Sequence, residues 1–109
     1  MVSSITSVQE YEDITLGKNV DPSTLIVIEF GSVTCTNTQM MNSVVGKFQA
    51  DFKKSFKLYK LNIKEFPEIA KSLNIKSTPT YKFYKNGKDI LKFVGADPAS
   101  IRKLIVANV

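Results

Sequence analysis

Residues Leu25–Phe30 read LIVIEF, a short run of apolar side chains broken only by Glu29. A strand with one wet face alternates apolar and polar residues. A nearly continuous run rich in β-branched residues instead marks a strand buried on both faces. Such a strand needs a layer of cover on each side, so the chain around it must supply helices for two faces of a sheet.

Those helices and further strands can be read in order. A short strand is expected at Val2–Ile5. Ser7-Val8-Gln9-Glu10 has capping-box spacing and predicts a helix from about Val8 to Leu16, ended by Gly17 and the Asn19–Asp21-Pro22 region. From Thr36 onward, Met40, Met41, Val44, Val45, Phe48 and Phe52 form a helical stripe about four turns long. Gly46 lies inside it at a cost of roughly 1 kcal/mol relative to Ala, which predicts a close approach there. Phe56–Ile63 reads as a second buried strand, and Pro67 opens a short helix, PEIAKSLN. Thr80–Lys85, Asn86-Gly87 and Asp89–Val94 form a β-hairpin, with Tyr81, Phe83 and Tyr84 in the sheet and one face in the core. Asp97-Pro98 caps and opens a last helix whose inner face carries Ile101, Leu104 and Ile105. The expected fold class is α/β: one domain over residues 1–109, with a mixed central sheet flanked by helices on both faces.

Composition narrows the function classes. The 109 residues suit one compact domain that needs no covalent staple. A single cysteine excludes an internal disulfide framework, and the absence of histidine excludes a Cys/His zinc site. No apolar run approaches the roughly 18–20 residues of a membrane helix. The first residues, MVSSITSVQEYED, show neither a basic nor an apolar signal region, so a reduced, cytoplasmic setting is expected. The mature form of an imported protein would look the same. The net charge of +5 is uneven: residues 1–50 carry two Lys against five acids, and residues 51–109 thirteen Lys and Arg against five. A solvated Lys-rich surface accounts for this, and no aromatic-basic interleaving points to nucleic acid.

The one thiol, Cys35, stands where the LIVIEF strand gives way to the second helix, in FGSVTCTNTQMM. Taken alone, a lone cysteine is a small buried hydrophobe or a poised nucleophile, and its place at a helix start favours the anion. Six segments in order resemble the thioredoxin family, most closely the small cytosolic thioredoxins of the fungal kind. VIEF is similar to the strand that enters the active site, and Phe30, Cys35 and Met40 match the family's spacing. LYKLNIKE resembles the third strand and STPT the loop with the cis-proline. FYKNGK and VGADPASIRKLI resemble the hairpin and final helix. The departures fall at the active site. The family's Trp-Cys-Gly-Pro-Cys becomes Thr34-Cys35-Thr36-Asn37-Thr38, Gly31 replaces an aromatic residue, Ser43 a proline, and Glu29 a buried Asp.

The resemblance implies that Cys35 is the attacking thiol and that Thr38 occupies the place of the lost resolving cysteine. A hydroxyl cannot displace sulfur, so dithiol turnover through residues 35 and 38 is excluded. Thr38 either donates a hydrogen bond to the thiolate or is only a small polar residue in the first turn. Glu29 takes the family's buried-acid position, or reaches solvent, or pairs with a lysine such as Lys60. Sequence statistics alone favour a trans Pro79, whereas the resemblance implies cis, with Thr78 offering backbone to an extended partner segment. Thr34, Thr36, Asn37, Thr78, Pro79 and Gly95 form the implied partner-binding surface.

Two functions follow. One is a monothiol protein whose Cys35 forms mixed disulfides with protein or glutathione thiols. The other is a redox-inactive binding module using the groove near Thr78-Pro79. No cofactor, metal or membrane contact is expected; the partner is a protein or glutathione, and the chain is a monomer or a Cys35-linked dimer.

Overall fold

The computed structural model describes residues 2–109. Its elements are β1 (Ser3–Ser4), α1 (Val8–Thr15), β2 (Leu25–Gly31), α2 (Thr36–Met40), α3 (Asn42–Asp51), β3 (Phe56–Asn62), α4 (Pro67–Ser72), β4 (Thr80–Lys85), β5 (Lys88–Val94) and α5 (Pro98–Asn108). The strands form one sheet in the order β1-β3-β2-β4-β5. The pairings of β3 with β1 and β2 are parallel, whereas β4 runs antiparallel to both β2 and β5. The sheet is therefore mixed, as expected.

All seven residues of β2 are buried, because it is the middle strand and both of its faces are covered. Leu25 and Val27 join Phe56, Leu58, Tyr81 and Phe83 under α3 and α5. Ile26, Ile28 and Phe30 join Leu61, Ile69 and Tyr84 on the opposite face, where Tyr11 and Ile14 of α1 pack. Each such side chain contributes about 1.5–3 kcal/mol by leaving water, so this strand anchors both cores. The hairpin aromatics thus serve both faces: Tyr81 and Phe83 lie in one core and Tyr84 in the other. Lys82, between them, is buried too and pairs with Asp89.

Local signals act where expected. Ser7 caps α1 by accepting from the Glu10 N–H at 3.1 Å, while the Glu10 carboxylate accepts from the Thr6 N–H at 2.7 Å. Asp97 caps α5 through the Ser100 N–H at 3.2 Å. In the hairpin turn, Asn86 and Gly87 have φ of 54° and 73°. A β-carbon on Gly87 would stand 2.9 Å from the Leu16 carbonyl oxygen, so the turn packs directly on the end of α1.

Three expectations change. The first strand is only Ser3–Ser4, although Ile5 still donates its N–H to the Lys60 carbonyl at 2.8 Å. The second helix is broken at Met41, whose N–H returns to Thr38 three residues back at 3.1 Å; Val45 then starts a new ladder on the Met41 carbonyl at 2.9 Å. That tight turn rotates the stripe, burying Met41, Val45 and Phe48 and leaving Met40 58% exposed. A β-carbon on Gly46 would meet nothing within 4 Å, so no close approach explains that glycine. Among the described residues, no helix is long and apolar enough to cross a membrane.

Candidate functional site

The loop after β2 is held by its own side chains. Cys35 donates its N–H to the Ser32 carbonyl at 3.0 Å and accepts from the Gln39 N–H at 3.0 Å, which makes it the residue that opens α2. The hydroxyls of Ser32 and Thr34 meet at 3.0 Å, and the Lys64 ammonium donates to the Thr34 hydroxyl at 2.8 Å. The Gln39 amide donates to the Val33 carbonyl at 2.6 Å. Neither Lys64 nor Ser32 was singled out in the sequence; both act through contacts that only the folded loop creates.

The Thr78-Pro79 bond is cis, and the Cys35 thiol donates to the Thr78 carbonyl at 3.4 Å. The Gly95 N–H donates to the Pro79 carbonyl at 3.0 Å, with Gly95 at φ 122°, a conformation that favours glycine. Cys35, Thr78, Pro79 and Gly95 are thus gathered from three parts of the chain. Cys35 is half-buried and Pro79 buried, whereas Thr34, Thr36 and Asn37 lie exposed beside them.

Two influences of Thr78 on the thiol oppose one another. Its carbonyl favours the neutral thiol, and its hydroxyl favours the thiolate. The balance lies with the donors. The Thr78 hydroxyl most strongly, then the hydroxyl and N–H of Thr38 and the N–H of Asn37, lower the thiol from 9.0 to about 7 against a small opposing desolvation. The donors of Thr38 thus favour the thiolate over the thiol.

Thr38 is buried, and its hydroxyl also accepts from the Ser32 N–H at 3.4 Å. Its methyl faces Gly31: a β-carbon on Gly31 would lie 2.5 Å from Thr38 Cγ2. Thr38 is therefore a packed wall of the site.

Glu29 lies on the α3 and α5 side of β2, in register with Lys60 on β3 and Tyr81 on β4. It does not reach solvent, being 1% exposed. Nor does it form an ion pair with Lys60, whose ammonium donates instead to Asn42 Oδ1 at 2.6 Å. The carboxyl accepts from the Tyr81 hydroxyl at 2.6 Å. Burial raises its pKa, and the Tyr81 hydrogen bond and the Lys60 charge pull it back in part. Tyr81 as the partner of Glu29 was not readable from the sequence, because the pairing depends on β2–β4 register. Among the described residues, no three His, Cys, Asp or Glu side chains gather as a metal site.

Comparison with known proteins agrees with this fold. The family model described as "Thioredoxin" matches residues 5–107. The chain is similar to thioredoxin-2 of Saccharomyces cerevisiae, at 31% identity over 109 residues and 100% of each chain. It is 33% identical to a thioredoxin of Malassezia sympodialis, covering 98% of each chain. The crystal structure of Malassezia sympodialis thioredoxin superposes with a TM-score of 0.87 at 28% identity, covering 99% of this chain and 90% of that one.

Proposed function

The chain belongs to the thioredoxin family, and from that membership we propose that it is a monothiol partner-capturing protein whose reactive group is Cys35. One observation carries the reading. A half-buried thiol lowered to about 7 faces the cis Thr78-Pro79 bond, while Thr38 stands buried where a second thiol would resolve the product.

The chemistry stops after its first half. The Cys35 thiolate attacks one sulfur of a disulfide, forms a Cys35–S–S–R bond, and expels the other sulfur as a thiolate that takes up a proton. Thr38 has no sulfur with which to break that bond. An external thiol, glutathione or a protein cysteine, attacks the mixed disulfide, forms a new disulfide with R, and releases the Cys35 thiolate. A reducing, cytoplasmic compartment supplies such thiols. Where no external thiol reaches the bond the partner stays attached, and a second copy of the chain joined through Cys35 is one such case.

A second reading has its own support. Val33 is 69% exposed two residues before Cys35, and Val94 is 53% exposed beside Gly95. Apolar side chains open to water beside a buried proline suit the docking of an extended protein segment with no sulfur chemistry.

The pH dependence of iodoacetamide alkylation tests the redox reading. A midpoint near 7 is expected, and a thiol that stays unreactive across that range sinks it. A Thr38→Cys variant, assayed with thioredoxin reductase and a disulfide substrate, separates the two readings. Restored turnover means that only the second thiol was missing. Absent turnover with an intact fold favours the docking role.

A further inference from the structure

Beneath the Cys35 loop lies a pocket of about 260 Å³, and Cys35 is not part of its wall. It opens between β1, the start of α3 and the end of β3. Its wall is mixed: Val33 is apolar, Ile5 and Leu61 keep their side chains in the core of the opposite face, and Glu29, Glu65 and Lys60 bring two carboxyls and one ammonium. Gly31 adds no side chain, so the backbone of β2 itself forms part of the surface. In a chain of net charge +5, this local surplus of acid runs against the general field.

Glu29 is incompletely satisfied there. Its Oε2 accepts from the Tyr81 hydroxyl, and among the described residues no other side chain or N–H donates to the carboxyl. The nearest cation is occupied at the rim, because Lys60 donates to Asn42. A buried carboxyl with an oxygen facing a cavity favours a ligand that brings N–H donors and positive charge. The space is below the 300–1,000 Å³ or so typical of drug-sized ligands, which restricts the ligand to a compact one.

We propose that this pocket binds a small planar organic cation, an amidinium or guanidinium on a short apolar body. Its N–H fork donates to the Glu29 oxygen that Tyr81 leaves free, and its body lies against Val33. A planar fork matches a carboxylate better than a spherical ammonium does. The site does not involve the sulfur, so it stands apart from the monothiol reading.

Only the carboxylate form of Glu29 pairs with a cation, so binding is linked to its proton. The groups facing it are Tyr81 from β4, Lys60 from β3 and Glu65 from the segment that follows; α2 and α3 present Thr38 and Asn42, and β1 presents Ser4. Below the Glu29 pKa, affinity should fall about tenfold for each pH unit.

Benzamidine is the probe, titrated into the full chain and followed by amide NMR, with benzamide as its neutral isostere. Benzamidinium is expected to shift the amides of Gly31, Ser32, Asn42 and Leu61, and to bind at least about tenfold more tightly than benzamide, the gain from one added charge contact. Cys35→Ser should leave that affinity unchanged, and Glu29→Gln should abolish the preference for the cation. Should Glu29→Gln fail to fold, the side-chain carboxyl of Glu29 is titrated by ¹³C NMR in the parent protein. Benzamidine is then expected to move the midpoint down. Equal binding of both probes, no shifts at millimolar probe, or an unmoved Glu29 midpoint overturns the proposal.

Discussion

The methyl group of Thr38 stands where a side chain on Gly31 would begin, 2.5 Å from an ideal β-carbon. Atoms at that distance overlap, so the identities of these two residues are coupled by packing. Thr38 keeps its methyl because Gly31 has no side chain.

Gly31→Ala should therefore destabilise the protein by about 1–3 kcal/mol, the cost of overpacking a filled site. Thr38→Ser removes the methyl and should recover most of that loss. A double-mutant cycle by urea denaturation measures the coupling. Additive effects of the two substitutions would mean that the contact is not the cause.

Thr78→Val removes the hydroxyl that does most to hold the Cys35 thiolate, while keeping the carbonyl that accepts from the neutral thiol. Loss of that donor raises the pKa. The alkylation midpoint should move up from about 7 toward 9.0, with the variant less reactive at neutral pH. A midpoint that stays in place would assign the shift to Thr38 and Asn37 instead.

Glu29 titrates at a higher pH in the folded chain than in the unfolded one, because burial penalises its charge. Below the ordinary value of 4.5 it is neutral in both states and has no effect on the balance. As pH rises from there through the folded value, the unfolded chain loses its proton first and stability falls. Glu29→Gln keeps an acceptor for Tyr81 and removes that loss. The variant should be the more stable protein at neutral pH, with the gap closing in acid. Parallel pH profiles of the parent and variant would contradict this account.

Gln49 acts as a substitute strand. Its side-chain amide donates to the Phe56 carbonyl at 3.0 Å and accepts from the Leu58 N–H at 2.7 Å, closing the part of β3 that the two-residue β1 leaves open. Gln49→Ala should cost about 1–2 kcal/mol and speed hydrogen exchange at Leu58. Unchanged exchange at Leu58 would show that the plug is dispensable.

Legibility in the sequence followed the range of the interaction. Leu25–Phe30, the Asn86-Gly87 turn and the Asp97-Pro98 cap were readable because each signal lies within a few residues of the structure it makes. The bounds of α1 and the start of α5 agreed to within a residue or two, but the reading failed across Met41. There the i, i+4 pattern suits one continuous helix, and the tight turn that rotates Met40 outward leaves no pattern of its own. The Cys35 junction was readable by resemblance, as was its neighbourhood with Pro79 and Gly95. Gly46 misled, since a glycine signals close approach only when something stands opposite it.

What the residues determined by themselves was the element order, a strand buried on both faces, a lone thiol at a helix start, and the absence of a second sulfur at position 38. Those are properties of local pattern and of atoms present or missing, and no packing can alter them. The tertiary structure decided the rest. It chose Tyr81 over Lys60 as the partner of Glu29, brought the Cys35 thiol to the Thr78 carbonyl, and set the Thr38 methyl against Gly31. Each of these depends on strand register or on two distant segments meeting. Such contacts arise only when the sheet closes around β2, and spacing along the chain carries no trace of them.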